Sequence, residues 1–491
     1  MHDSRCSGPK GARVKTHFAP VGHSSQVVSS GTEDADLALG RARRKAYARL
    51  IPLLFVSYVI AYIDRVNVAF AKLTLVKDLP AFDNDVIGTG AGLFFLGYFL
   101  LEVPGTLMVE RYSARKIIAR IMISWGLIAG LTAFVTTPMQ FYGARLLLGL
   151  AEAGFFPGVI IFLTRWFPAR DRARALALFL MATPIAQVVS PLVCNPLLKF
   201  GMTETVAGKV VTYPALFGLH GWQLVFLLWG MPAIVLGILV LTMLADWPRD
   251  AKWLTDEEKT ALQSVIDRER AALEPKKHLS LLQALRQPKV ILLALAYFFV
   301  VTANYGTEFF LPSILESWFH LKLDALTVFM VVPPLATLGA QWFIGYSSDR
   351  TRERRLHTAV PIALGALTLA LTPFSLGSLP LTMLLLLFAR TGIKAYQPAF
   401  WTLPSLFLSS SAAAGCVGFI NSFGNLGGFV GPKVLGKVEK MTGSFSGGIW
   451  FLAGMMVVST IIILTLGLGK PEDGAAHSEA KPSKSVKPAV A

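Results

Sequence analysis

The stretch "LIPLLFVSYVIAYIDRVNVAFAKL" (50–73) reads almost throughout as hydrocarbon, yet Asp64, Arg65 and Asn67 stand in its middle. A run of about twenty apolar residues is what crosses about 30 Å of hydrocarbon as a helix. A charge at the centre of that layer costs roughly 2.5–3.5 kcal/mol on insertion scales. The segment is therefore predicted to span a membrane, with its polar residues turned toward something other than lipid.

The same pattern recurs along the chain. Apolar residues make up 54% of the sequence and charged ones 15%, and the apolar ones gather in blocks instead of the narrower stripe of a soluble helix. Twelve spans are predicted: 49–72, 87–109, 117–137, 140–163, 174–198, 222–245, 290–315, 325–347, 358–377, 380–403, 412–436 and 447–469. The expected fold is all-α membrane, twelve transmembrane helices in two pseudo-symmetric six-helix bundles (47–245 and 289–469). Residues 1–46 and 470–491 are polar and are expected to be disordered cytoplasmic tails. The first of these has no apolar core with a cleavage site. Between the bundles lies a polar linker (246–288), where "TDEEKTALQSVIDRERAAL" (255–273) is amphipathic enough for a surface helix, with Thr255 and Glu258 spaced as a capping box.

The formal net charge of +16 could suggest nucleic acid. Basic membrane loops are the better reading, because Lys and Arg gather on the cytoplasmic side. Arg41, Arg43, Arg44, Lys45 and Arg49 precede span one; Arg111, Arg115 and Lys116 follow span two; Arg350, Arg352, Arg354 and Arg355 follow span eight. All fall on one side, so both termini are expected in the cytoplasm of a multi-pass plasma (bacterial inner) membrane protein. Lys433, Lys437 and Lys440 after span eleven are the exception. Cys6, Cys194 and Cys416 have no metal or disulfide spacing.

The halves repeat. "ERYSARK" (110–116) and "DRTRERR" (349–355) are offset by 349 − 110 = 239; "ARLLLGLAEAGFF" (144–156) and "ARTGIKAYQPAFW" (389–401) by 390 − 145 = 245. Duplicated halves around a central cavity are a transporter architecture. The chain resembles the major facilitator superfamily of secondary transporters. "GYSSDRTRERR" (345–355) matches that family's loop motif; in the first half Thr106 stands where Gly is usual and Glu110 replaces Asp. The resemblance narrows to the anion:cation symporter branch, the phthalate and sugar-acid permeases. It rests on "YIDRVNVAFA" (62–71), "FFLGYFLLEVPGTLMVERYSARKIIARIMISWG" (94–126), "RLLLGLAEAGFFPGVIIFLTRWFPARDRARALALF" (145–179) and "PAFWTLPSLFLSSSAAAGCVGFINSFGNLGGFVGP" (398–432).

Helical spacing groups the buried polar residues. Asp64 and Asn67 share a face, and Arg65 points about 100° away. The pair Asp64 and Arg65 either serves proton uptake and substrate holding or closes a helix interface as an ion pair. Arg145 and Glu152 face one space, about 10.5 Å apart along span four. Glu152 either exchanges a proton or hydrogen-bonds between helices. Arg145 either attracts substrate or holds Asp64 or Glu152. Arg390, Lys394, Gln397 and Trp401 form one stripe on span ten. Two cations a turn apart need a counter-charge, so Lys394 takes a second substrate carboxylate or pairs with Glu308 of span seven. The resemblance implies that Asp64 and Glu152 couple protons, that Arg65 contacts a substrate carboxylate, and that Trp401 and Asn421 meet substrate. Tyr62 and Tyr98 complete the expected lining.

The expected function is proton-coupled uptake of an organic carboxylate, such as a sugar acid, a tartrate-like dicarboxylate or an aromatic acid. Transport would proceed by alternating access in a functional monomer, with no cofactor or metal. Glu110, Arg111, Arg115, Asp349, Arg350 and Arg354 would latch the cytoplasmic loops. Proton coupling is favoured over sodium because no dense cluster of short oxygen ligands is visible. A nutrient sensor or channel on the same scaffold, or an exporter of the same superfamily, are the alternatives. No His or carboxylate cluster has catalytic spacing, so an enzyme is not expected.

Overall fold

The computed structural model describes residues 25–206, 209–272, 286–407 and 410–468, and they are nearly all helical. Among the described residues, eleven helices are long and apolar enough to cross a membrane. In order they are spans one to six, Asp34–Asp78, Asn84–Glu102, Ala114–Phe134, Pro138–Trp166, Arg170–Leu198 and Gly221–Met243, then seven to ten, Pro288–Phe319, Leu323–Thr351, Arg355–Ser375 and Leu379–Phe400, and span twelve, Ser446–Thr465. The span predicted at 412–436 consists of two shorter helices, Ser410–Asn425 and Gly427–Thr442, together called span eleven. Many large apolar side chains on these helices point outward, among them Leu127, Leu131, Phe343 and Leu367. That is the surface a helix turns toward lipid.

Helix starts fall where the sequence supplies caps. Asp83 accepts from the Val86 N–H, Ser113 from Lys116, and Thr137 forms a capping box with Gln140. The linker carries the expected surface helix, Asp256–Ala272, and Thr255 and Glu258 exchange both capping-box bonds. The first helix, in contrast, begins at Ser25, inside the stretch expected to be a disordered tail. Its polar turns have partners that sequence alone does not reveal. Arg43 pairs with Asp171 of span five, and Lys45 with Glu258 of the linker helix at 2.8 Å. Residues 1–24 and the expected tail 470–491 lie outside the described residues. A hairpin between spans five and six, running from Thr203↔Thr212 to Val206↔Lys209, was not anticipated.

The duplication is visible in where helices break. Spans five and eleven are interrupted at Met181 and Leu426, an offset of 426 − 181 = 245, the value found in the sequence. Spans three and nine both end in a 3₁₀ turn, Thr132–Phe134 and Thr372–Ser375. Spans four and ten break at matching depths, after Glu152 and at Tyr396. In span four, Pro157 lacks the N–H that Ala153 would need, and Gly154 takes a left-handed φ of 85°. The bulge packs on Gly105 of span two, whose backbone lies 3.0 Å from where a Gly154 Cβ would sit.

Consecutive spans alternate in direction, so the connections sort onto two faces. The Arg-rich loops define a basic face; residues 79–83, 199–220, 320–322 and 443–445 lie on the far face. Gly154→Ala should cost about 1–2 kcal/mol from the left-handed backbone alone, plus the clash with Gly105. Its thermal unfolding midpoint in detergent is expected to fall below wild type; an equal midpoint would contradict this reading of the break.

Candidate functional site

Span one runs between the two halves and carries the first cluster. Asp64 (1% exposed) accepts from Trp125 Nε1 at 2.9 Å and from Asn67 Nδ2 at 3.3 Å. Arg65 forms a buried ion pair with Glu152, the last residue before the break in span four. Its guanidinium also lies over the rings of Phe94 (5.5 Å) and Tyr98 (5.1 Å). Asp64 and Arg65 therefore do not pair with each other. Their side chains diverge, and each finds a different span. Arg145 is fully buried and donates to the Arg65 carbonyl at 3.3 Å, not to Asp64 or Glu152. Its Nε and Nη1 have no hydrogen-bond partner among the described residues.

The second cluster surrounds Glu308 of span seven. Tyr62 Oη donates to it at 2.9 Å, Gln187 Nε2 at 2.7 Å and Asn304 Nδ2 at 3.4 Å. Lys394 Nζ lies 3.7 Å and Arg390 Nη2 3.8 Å from the same carboxylate. Lys394 also donates to Tyr62 Oη at 3.0 Å, and Arg390 to the Asn304 carbonyl at 3.3 Å. Lys394 and Glu308 are thus within ion-pair distance of each other.

The helix of span ten is interrupted within the expected stripe. Pro398 has no N–H to offer the Lys394 carbonyl, so the helix bends at Tyr396. Gln341 of span eight supplies the missing donor at 3.0 Å, and its Nε2 also lies 3.2 Å from Gln397 Oε1. Gln397 is thereby turned to span eight, and Trp401 packs edge-on against Tyr297, ring centroids 4.9 Å apart. Asn421 donates to Glu102 of span two at 3.2 Å, across the halves. Beside Glu308 and Arg390 lies a cleft of about 30 Å³, walled by Phe70, Gln187, Met330 and Pro333. That is room for about two waters, so the chamber expected here is nearly shut.

Sequence reading missed Trp125, Gln187, Tyr305 and Glu102. The last three had a signal: each is a polar group within an apolar span, the criterion that singled out Asp64. Trp125 had none, because its indole N–H is polar only once an acceptor is known to face it.

The loop residues divide. Asp349 pairs with Arg354 inside its own loop at 2.6 Å. Arg115 donates from its backbone to Asp246 at 2.9 Å, and Arg111 lies over Tyr112. Arg350 is exposed, and the side chain of Glu110 lies outside the described residues. The seam between the halves is instead tied at the far face. Lys433 meets Asp85 at 3.0 Å, Lys440 meets Asp83 at 2.8 Å, Asn84 donates to Glu439 at 2.8 Å, and Lys77 meets Glu316 at 3.0 Å. This accounts for two of the three lysines that break the charge pattern: Lys433 and Lys440 face acids of the other half. Gly88 lets span two approach until the Pro432 carbonyl is 2.4 Å from where a Cβ would be.

Two repeated six-helix bundles with paired charges on broken helices at their interface define a carrier. Residues 54–432 match the Major Facilitator Superfamily, and the chain belongs to that family. It is a multi-pass membrane transporter. A protein of Agrobacterium vitis named "Putative tartrate transporter" is 40% identical over 88% of this chain and 96% of its own. The "Quinolone resistance transporter" of Acinetobacter baumannii is 36% identical over 84% of this chain and 92% of its own. Among solved structures, a bacterial homologue of the lysosomal transporter Spinster shares the fold, with a TM-score of 0.65 at 16% identity, covering 89% of this chain and 97% of that one.

Partial burial works against the Asp83 charge, yet Lys440 and the Val86 N–H hold its carboxyl below the usual carboxylate range. A depressed carboxylate contributes fully above its ordinary value, about 3.9, and is lost only as pH falls through the lowered one. The Asp83–Lys440 tie therefore persists at pH 5 and at pH 8. Such exposed pairs are individually weak and act together, so Lys433→Ala with Lys440→Ala should raise opening of this seam severalfold. Labelling of a cysteine placed at Phe429 by a membrane-impermeant thiol reagent measures it; unchanged labelling would show that the ties do not hold the seam.

Proposed function

We propose that the protein takes up an organic carboxylate together with protons by alternating access. The observation that carries this reading is the buried Arg65–Glu152 pair at the broken midpoint of span four. A guanidinium binds a planar carboxylate well, and here its partner is itself a carboxylate that a proton can neutralise. Protonation of Glu152 would release Arg65 to a substrate carboxylate; loss of the proton on the other side would restore the internal pair and expel the substrate. Asp64, held by Trp125 and Asn67, is the second proton-coupling group. Tyr62, Tyr98, Arg390, Lys394, Gln397, Trp401 and Asn421 are the proposed substrate contacts, with Arg145 and Glu308 in support. The name of the Agrobacterium relative favours a tartrate-like acid. The basic face is the cytoplasmic one, and a single chain suffices.

Export is the second reading, favoured by the name of the Acinetobacter relative. Uptake of radiolabelled tartrate, sugar acids and phthalate into cells, with and without a proton uncoupler, separates the two. Uptake of at least one acid that collapses with the uncoupler is expected; accumulation that rises with the uncoupler would indicate export.

Removing one member of a buried ion pair costs about 3–5 kcal/mol, whereas removing both is tolerated. Arg65→Gln with Glu152→Gln should therefore insert and fold but lose uptake by about a hundredfold or more. Glu152→Gln alone should keep exchange of labelled for unlabelled substrate and lose accumulation against a gradient. Full accumulation by that variant would remove its coupling role.

A further inference from the structure

The two ion-paired clusters have a common plan in opposite halves, one carboxylate set against one or two cations. In each, a basic side chain at the interface is neutralised by a carboxylate of its own half's lining: Glu152 for Arg65, Glu308 for Arg390 and Lys394. Tyr62 and Arg65 stand three residues apart on one face of span one, roughly 4.5 Å along its axis. Tyr62 touches the Glu308 cluster and Arg65 the Glu152 pair, so both clusters are reached from neighbouring turns of span one. The cleft beside Glu308 and Arg390 is too small for an organic acid. The two internal carboxylates occupy the positions that two substrate carboxylates would need.

Resting on the reading above, we infer that Glu308 is a second internal stand-in for substrate, so that the natural substrate is a short dicarboxylate and Glu308 takes up a second proton as it binds. One end of the acid replaces Glu152 at Arg65, and the other replaces Glu308 at Lys394 and Arg390. Two negative charges enter with two protons, and the charge of the site does not change. A buried charge left unmatched would be costly. A monocarboxylate displaces Glu152 alone and leaves Glu308 on its own cations.

The groups facing Glu308 support this assignment. Span one supplies Tyr62, span five Gln187, span ten Arg390 and Lys394, and span seven itself Asn304 and the nearby Tyr305. At the cleft, span one adds Val66 and Phe70, span five Ser190, and span eight Met330, Pro333 and Pro334, none of them titratable. Spans eleven and twelve meet span seven on its other side, through Gly431 and Leu452 against Gly306. Lys394 and Arg390 are thus the cations that substrate could take from Glu308, and Glu308 is the carboxylate there that could accept the proton.

Tartrate and threonate form the decisive pair, since they differ by a carboxylate against a hydroxymethyl group. Proton uptake on binding to the purified full chain is read with a pH indicator in weak buffer. Wild type is expected to take up about one more proton with tartrate than with threonate. Glu308→Gln should bring the tartrate count down to that of threonate, and Lys394→Ala should cut the preference for tartrate at least tenfold. Both variants are compared by gel filtration so that a misfolded one is replaced by the other. Equal counts for the two acids in wild type, or an undiminished tartrate count in Glu308→Gln, would overturn this inference alone. Failure of wild type to bind either acid, or any acid of the uptake panel, would overturn the carboxylate reading beneath it.

Discussion

Everything in this molecule follows from the cost of holding charge where water is scarce. Arg65, Arg145, Arg390, Asp64, Glu152 and Glu308 are all buried within membrane-spanning helices. No amount of apolar packing removes that cost; only counter-charge, hydrogen bonds or a mobile ligand can. The helices are bent to provide them. Span four stops at Glu152 and span ten at Tyr396, each where a proline withdraws a backbone donor or a glycine permits a reversal. Irregular backbone at membrane depth is tolerated only where protein or water can satisfy it. Here Gln341 does so for the Lys394 carbonyl.

The fold was largely legible because its determinants are local and coarse. Span length, cap residues and basic loops are properties of short windows, and the offset of 245 appeared in the sequence before it appeared at Met181 and Leu426. The first helix escaped because the partners of its Arg43 and Lys45 are Asp171 and Glu258, more than a hundred residues away. The hairpin strands Thr203–Val206 and Lys209–Thr212 escaped because four residues each are too few for a two-residue period to stand out.

The site was legible in its membership more than in its pairing. Asp64, Arg65, Glu152, Glu308, Arg390 and Lys394 were all visible as ions in hydrocarbon. Which ion meets which is a matter of how separate helices are placed, and helical spacing speaks only for residues on one helix. Arg145 and Glu152 share a face yet do not bond, while Arg65 reaches Glu152 from another span. Nor does a wheel show the partners that other helices supply: Gln397 meets Gln341 of span eight, and Trp401 meets Tyr297 of span seven.

The far-face lysines bear on how the chain assembles. Synthesis proceeds from the N-terminus, so Asp83 and Asp85 exist long before Lys433 and Lys440 do. The late-arriving ammonium groups find their acids waiting, at the rim of a half already complete. An order reversed, with cations first, would leave an exposed basic hairpin pulling against the charge rule that orients the remaining helices.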